Sequence, residues 1–144
     1  YRPRLDQLAD GIFAIVMTLL VLEFRVPALP TPVSNVVLIE ALKDLAPVLL
    51  AYILSFLLLV NYWTAHHYMV SVIAQNLTRT LTFLNIPFLM AIGLVPFAAH
   101  LLGTYSSTQV AIIVYGANVI VIGFSLFLIS HYIISSPEIK TNPE

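Results

Sequence analysis

Polar and apolar residues along this chain sort into four long apolar runs separated by prolines, small polar clusters and charges. The first run extends from Leu5 to Val26 and stops at a proline-rich loop, Pro27 to Pro32, which cannot sustain a helix. Ser34 then stands as an N-cap for a second helix. That helix opens with an amphipathic stretch holding Glu40, Lys43 and Asp44; Pro47 kinks it or marks the membrane entry, and the apolar run continues through Tyr52 and Phe56 to Trp63. His66 to Thr78 reads as a polar connection. A third run spans Arg79 to Leu102 and contains Pro87 and Pro96, so a kinked helix is expected. Gly103 to Thr108 is a short turn, and the fourth run covers Gln109 to Ile134. Each run has about the 20 residues that a helix needs to cross the hydrocarbon core of a bilayer. The pattern predicts an all-α, polytopic membrane protein with four crossings over residues 1–134 and a polar tail over 135–144.

Composition reinforces this. Of 144 residues, 60% are hydrophobic and 9% charged, whereas a soluble domain carries about 25% charge. There is too little polar surface to coat a water-soluble globule, so lipid is the expected solvent and partner. The net charge of −1 and the lack of a basic run give no support to nucleic-acid binding. Cysteine is absent, which removes disulfides, thiolate chemistry and cysteine metal sites. No small-residue cleavage site follows Leu8 to Phe24, so this run is not read as a secretory signal. The chain opens at Tyr1 without a methionine, which implies that residues precede it. Arg2, Arg4, Arg79 and Lys140 fall on one side of the four-crossing arrangement, Arg25 and Lys43 on the other. The excess predicts cytoplasmic N- and C-termini.

Within the first run, Ile15, Thr18, Leu19 and Leu22 share one helical face at about 100° per residue. Packing against other helices or lipid accounts for such a face. So does a hydrophobic constriction, in which branched side chains from several copies of the helix close a pore that opens by wetting. Thr18 would add a ring of hydroxyls. Asp10 lies about 140° from Ile15 on an ideal helix and so faces neighbouring helices. A carboxylate in a membrane helix is costly and takes a partner or a task. Arg4, six residues earlier, is not at the i,i+4 spacing that would pair it with Asp10 directly; it also serves as an interfacial marker. Glu23 stands about 80° from Ile15, where it borders a pore mouth or snorkels to the interface.

His66 and His67 are neighbours, about 100° apart on a helix, and cannot grip one metal in the i,i+4 manner. One is expected to face the bundle and bond the first helix, the other to face the interface. No metal or cofactor is expected. Asn61, Asn85 and Asn118 lie in membrane segments, where amides bridge helices; Asn85, just before Pro87, is the strongest candidate. Val114-Tyr115-Gly116 resembles a carbonyl filter, but it sits inside a helical run whose carbonyls are already used. Gly116 and Gly123 are read as close-packing positions. No nucleotide loop, nucleophile elbow or metal-ligand motif is present, so the chain is not expected to be an enzyme.

The stretch Arg4-Leu5-Asp6-Gln7-Leu8-Ala9-Asp10, followed by Gly11-Ile12-Phe13-Ala14-Ile15, resembles the RxxxFSD signature of the transmembrane protein 175 family of potassium channels. Thr18 to Glu23, Pro47 to Phe56, Trp63 to His67, Leu84 to Phe97 and the Val-Tyr-Gly of the fourth run extend the similarity over nearly the whole chain. The resemblance implies a prokaryotic homotetramer with a central pore lined by the first helix, a constriction at Ile15, further apolar layers at Leu19 and Leu22, and a threonine layer at Thr18. It also implies that Arg4 and Asp10 join a hydrogen-bond network with later helices, in which His66 or His67 takes part; Asn85 is counted with these supports from its own interhelical reading. The signature's Phe-Ser is Leu8-Ala9 here, so one hydroxyl bond should be missing. A family repeat has six membrane helices and four are counted, so the last two are cut off or not in this chain. The expected function is a potassium-selective, leak-type cation channel in a prokaryotic inner membrane, with K+ as permeant ion. The alternatives are a proton- or ion-coupled transporter using Asp10 and a histidine, and a non-conducting membrane scaffold.

Overall fold

The computed structural model describes residues 2–73 and 78–136, and among them there are helices and no strands. Four helical stretches are long and apolar enough to cross a membrane: Arg4–Glu23, Ala46–Val70, Arg79–Thr104 and Gln109–Ser135. The chain is a multi-pass membrane protein.

Helix α1 (Arg2–Leu19) ends in a tighter 3₁₀ turn, Leu20–Glu23. At Phe24 the backbone becomes extended (φ −79°, ψ 93°), so the crossing closes three residues before the prolines rather than at Val26. Leu5, Ala9, Phe13, Val16 and Leu20 are buried at steps of four, four, three and four, one stripe of the helix. This stripe packs against the third and fourth helices of the chain.

Ser34 caps α2 (Asn35–Lys43): its Oγ accepts from Val37 N at 3.2 Å. The capping bond satisfies one of the orphan amides at a helix start. Then α3 (Ala46–His67) begins as a separate helix. Pro47 stands in its first turn, where a missing N–H costs nothing, so it marks an entry rather than a kink. The segment from His66 is not a polar connection at its start: α3 continues to His67 and on into a π-helical turn, Tyr68–Ile73, and Val70 is fully buried. Residues 74–77 of that expected connection, and 137–144 of the expected tail, lie outside the described residues.

The third crossing is two helices, α4 (Arg79–Gly93) and α5 (Val95–Thr104), joined at Leu94. Pro87 is accommodated inside α4, whereas Pro96 falls in the first turn of α5 and defines the break. Because α5 runs to Thr104, the turn that follows it is shorter than Gly103 to Thr108. Helix α6 (Gln109–Ser135) is capped by Thr108 and packs on α4 and α5.

α3 and α5 form the most extensive pair in the fold, and Gly103 is the reason they fit. A Cβ built at Gly103 would lie 2.9 Å from Val48 Cα, closer than side-chain carbons come. Gly116 and Gly123 are different: among the described residues no other element lies within 4 Å of a Cβ added at either, so they do not serve close packing there. The other ties are polar. Tyr115 Oη and Ser55 Oγ meet at 2.9 Å in the interior, and Tyr62 Oη donates to Val119 O at 3.3 Å. Tyr115 thus ties α6 to α3 by a hydrogen bond and is not part of a filter.

Candidate pore helix and its supports

α1 carries two opposed stripes. The buried one is described above; Phe13, at its centre, is 1% exposed. On the other side Leu8, Gly11, Ile15, Thr18 and Leu22 are exposed at steps of three, four, three and four. At about 100° per residue the two stripes are centred roughly 140° apart. Ile15 is 59% exposed and Leu22 56%. Among the described residues no other element covers them, so a large branched surface is left for lipid or other copies. Leu19, at the flank, is also exposed. Thr18 turns its hydroxyl back onto the helix, with Oγ1 3.0 Å from Ala14 O and 2.8 Å from Ile15 O. Its proton is therefore committed inward, and its oxygen lone pairs remain able to accept from outside.

The polar residues of α1 divide between two sites. On one flank, Trp63 Nε1 of α3 donates to Asp10 Oδ1 at 2.8 Å. His67 stacks on the same indole (5.5 Å between centroids, 20° between planes). The sequence marks Trp63 only as the end of the second apolar run; its one N–H could have been counted as a partner for a membrane carboxylate. Arg4 is exposed, and among the described residues no ion pair joins it to Asp10.

In the interior, His66 does face the bundle, but its bond goes to α4 and not to α1. Its Nε2–H donates to Asn85 Oδ1 at 2.5 Å, while Asn85 Nδ2 donates to Leu81 O at 2.7 Å. The His66 ring lies flat on Phe88 (4.8 Å, 3°) and against Phe13 of α1 (6.4 Å). Its influence on α1 is thus through packing. Both His66 and Asn85 are buried, so each group satisfies the other where water is excluded. Ala9, in place of the signature serine, is buried in the apolar stripe. Asn118 also bridges helices, donating to Ala91 O at 3.0 Å beside the α4–α5 break.

At the opposite end of α1, Glu23 Oε2 lies 2.5 Å from Nδ1 of His100 on α5. His100 was not singled out in the sequence; an isolated histidine within an apolar run was the available signal. The pair borders a cavity of about 810 Å³, lined also by Arg25 and Asp44. Among the described residues no group of three or more His, Cys, Asp or Glu side chains could hold a metal.

Comparison with known proteins gives a consistent picture. A family model described as the endosomal/lysosomal potassium channel TMEM175 matches residues 4–96. A potassium channel of Chryseobacterium sp. (strain P1-3) is 29% identical over 133 residues, covering 92% of this chain and 65% of that protein. A potassium channel of Streptomyces collinus is 37% identical over 102 residues, 71% of this chain and 48% of that one. The chain thus spans only about half to two thirds of the length of these curated relatives. An endosomal/lysosomal proton channel TMEM175 from Gallus gallus is 33% identical over 110 residues, 73% of this chain and 22% of that protein. Among solved structures, the crystal structure of a lysosomal potassium-selective channel TMEM175 homolog from Chamaesiphon minutus superposes with a TM-score of 0.81 at 33% identity, covering 89% of this chain and 69% of that one.

Proposed function

The chain belongs to the TMEM175 family, and on that footing we propose that it forms a potassium-selective, leak-type cation channel, with α1 of each of four identical subunits lining a central pore. The family is one of channels, so the chain is not an enzyme. The observation that carries the reading is the uncovered stripe on α1. Ile15 and Leu22 stand exposed on a helix whose opposite stripe is tightly packed.

Four copies of Ile15, Leu19 and Leu22 around one axis would make three greasy rings. Such a constriction stays dry when narrow, and an ion inside it loses most of its hydration without replacement. Conduction therefore requires the rings to widen until water enters. A partly stripped potassium ion is cheaper than a partly stripped sodium ion, because the larger ion holds its shell less tightly. The Thr18 oxygens, with their protons turned inward, would offer acceptors beside the Ile15 ring. Selectivity should be modest, since no fixed ring of carbonyls replaces the shell. In this reading Arg4 lies toward the cytoplasmic entrance, Glu23 borders the outer mouth, and the supports at Asp10, His66, His67 and Asn85 hold α1 against its own subunit. Residues 1–134 form the channel domain, set in a prokaryotic inner membrane with the N-terminus cytoplasmic.

Animal relatives carry the description of proton channels, which favours a second reading in which protons also pass. The test of the main reading is Ile15→Asn in liposome flux assays. An amide at the constriction should hydrate it and raise sodium permeation relative to potassium. An ion preference unchanged from the parent would remove Ile15 from the filter. Proton flux measured in the same vesicles decides the second reading.

A further inference from the structure

The 3₁₀ turn Leu20–Glu23 closes the helix assigned to the pore and carries Leu22, the outermost of the three apolar layers. Besides the buried Leu20, two side-chain contacts fix this end to the rest of the subunit. Phe24 sets its ring edge-on to Tyr52 of α3, with centroids 5.2 Å apart. Glu23 meets His100 of α5. α5 is itself braced on both sides: Gly103 seats it against Val48 of α3, and Asn118 of α6 ties the junction at its start. α5, so held, reaches the outer turn of α1 with a carboxylate–imidazole pair as the polar contact.

Both side chains of that pair are left partly uncovered by the chain, His100 at 46% and Glu23 at 29%, and both line the cavity described above. Water entering that cavity would bring protons to the pair. The other charged groups facing the same cavity are Arg25, just beyond the turn, and Asp44, at the end of α2; α3 contributes the apolar Val48. Arg25 Nε also donates to Leu22 O at 3.3 Å, a local bond that ties the turn to no other element.

We propose that His100 is a positioning residue for conduction, holding Glu23 and with it the Leu22 layer, and that this hold is strongest when the imidazole is protonated. The inference deepens the pore reading above and rests on it. Histidine is the side chain that ordinarily exchanges its charge between about pH 5 and 8. A charged imidazole holds a carboxylate by a hydrogen bond and by opposite charge together; a neutral one keeps the hydrogen bond and loses the charge attraction. Raising the pH through that range therefore loosens the turn and lets the Leu22 ring widen.

The test uses the purified full chain. In liposomes, potassium flux of the parent should rise severalfold between about pH 5.5 and about pH 8. His100→Gln should be high and flat over that range. His100→Lys, which keeps a cation facing Glu23, should restore low flux and be flat. Arg25→Gln and Asp44→Asn should keep the parent's step. In parallel, amide hydrogen exchange in detergent, expressed as protection factors, should show residues 20–26 better protected at the lower pH in the parent and equal at both in His100→Gln. If His100→Gln retains the parent's step, or if Arg25→Gln or Asp44→Asn abolishes it, the proposal is overturned. If the parent conducts nothing, the pore reading fails, while the protection of residues 20–26 still decides whether His100 holds the turn.

Discussion

Trp63 donates its indole N–H to Oδ1 of Asp10 at 2.8 Å, so the carboxylate in α1 is held by α3 of the same chain. A carboxylate at the centre of a membrane helix costs about 2.5–3.5 kcal/mol to insert, and Asp10, nearer one end of the Arg4–Glu23 crossing, costs less than that. One charge-assisted bond offsets part of that and fixes the rotation of α1 about its axis. That rotation decides which residues the opposite stripe presents.

Trp63→Phe keeps the apolar ring and removes the donor. We expect a loss of about 1 kcal/mol in stability, near the middle of what single polar contacts contribute in membrane proteins. Thermal unfolding in detergent checks it. Asp10→Asn, whose amide oxygen still accepts from Trp63, should cost less. Equal midpoints for Trp63→Phe and the parent would mean that the bond does not hold α1.

His66 and Asn85 form a buried, mutually satisfied pair. Truncating one leaves the other's polar group stranded. His66→Leu and Asn85→Leu should each cost about 1–3 kcal/mol. The double variant should cost clearly less than the sum, since nothing is then left unpaired. A double-mutant cycle by chemical unfolding measures the coupling, and simple additivity would show that the pair does not act as one.

Gly103 and Gly116 should respond oppositely to alanine. At Gly103 the new carbon meets Val48 Cα at 2.9 Å, a backbone atom that cannot swing aside. Separating α3 from α5 should cost about 1–3 kcal/mol, the usual range for overpacking. At Gly116 the chain leaves the space open, so alanine should be neutral or gain up to about 1 kcal/mol from helix propensity. Unfolding midpoints of the two variants, side by side, are the check.

The crossings were legible because membrane insertion imposes its length rule on the chain directly. The Ile15 face was legible for a related reason: helical periodicity is local. The partners of the polar residues were not. Trp63 and Asp10 are 53 positions apart, and His100 meets Glu23 only because α5 packs over the end of α1. Such meetings depend on tertiary packing, which no spacing within one helix reports. The histidine pair illustrates the limit: spacing separated His66 from His67 correctly, yet gave no means of choosing α4 over α1 as the bonding partner. Two prolines in the third run promised a kink. Only the geometry distinguishes Pro87, carried inside α4, from Pro96, which opens α5. Gly103 was assigned to a turn, although its missing side chain is what lets two helices meet.

The central claim is that the uncovered stripe of α1 faces a shared conduit. The chain has no cysteine, so a single introduced thiol reports on one position alone. Ile15→Cys and, as a lipid-facing comparison on α6, Phe124→Cys should be reconstituted and their potassium flux followed while a small, charged, water-soluble thiol reagent is added. The account predicts that the reagent blocks flux through Ile15→Cys and leaves Phe124→Cys conducting. Continued flux through Ile15→Cys after its labelling has been verified by mass would contradict it.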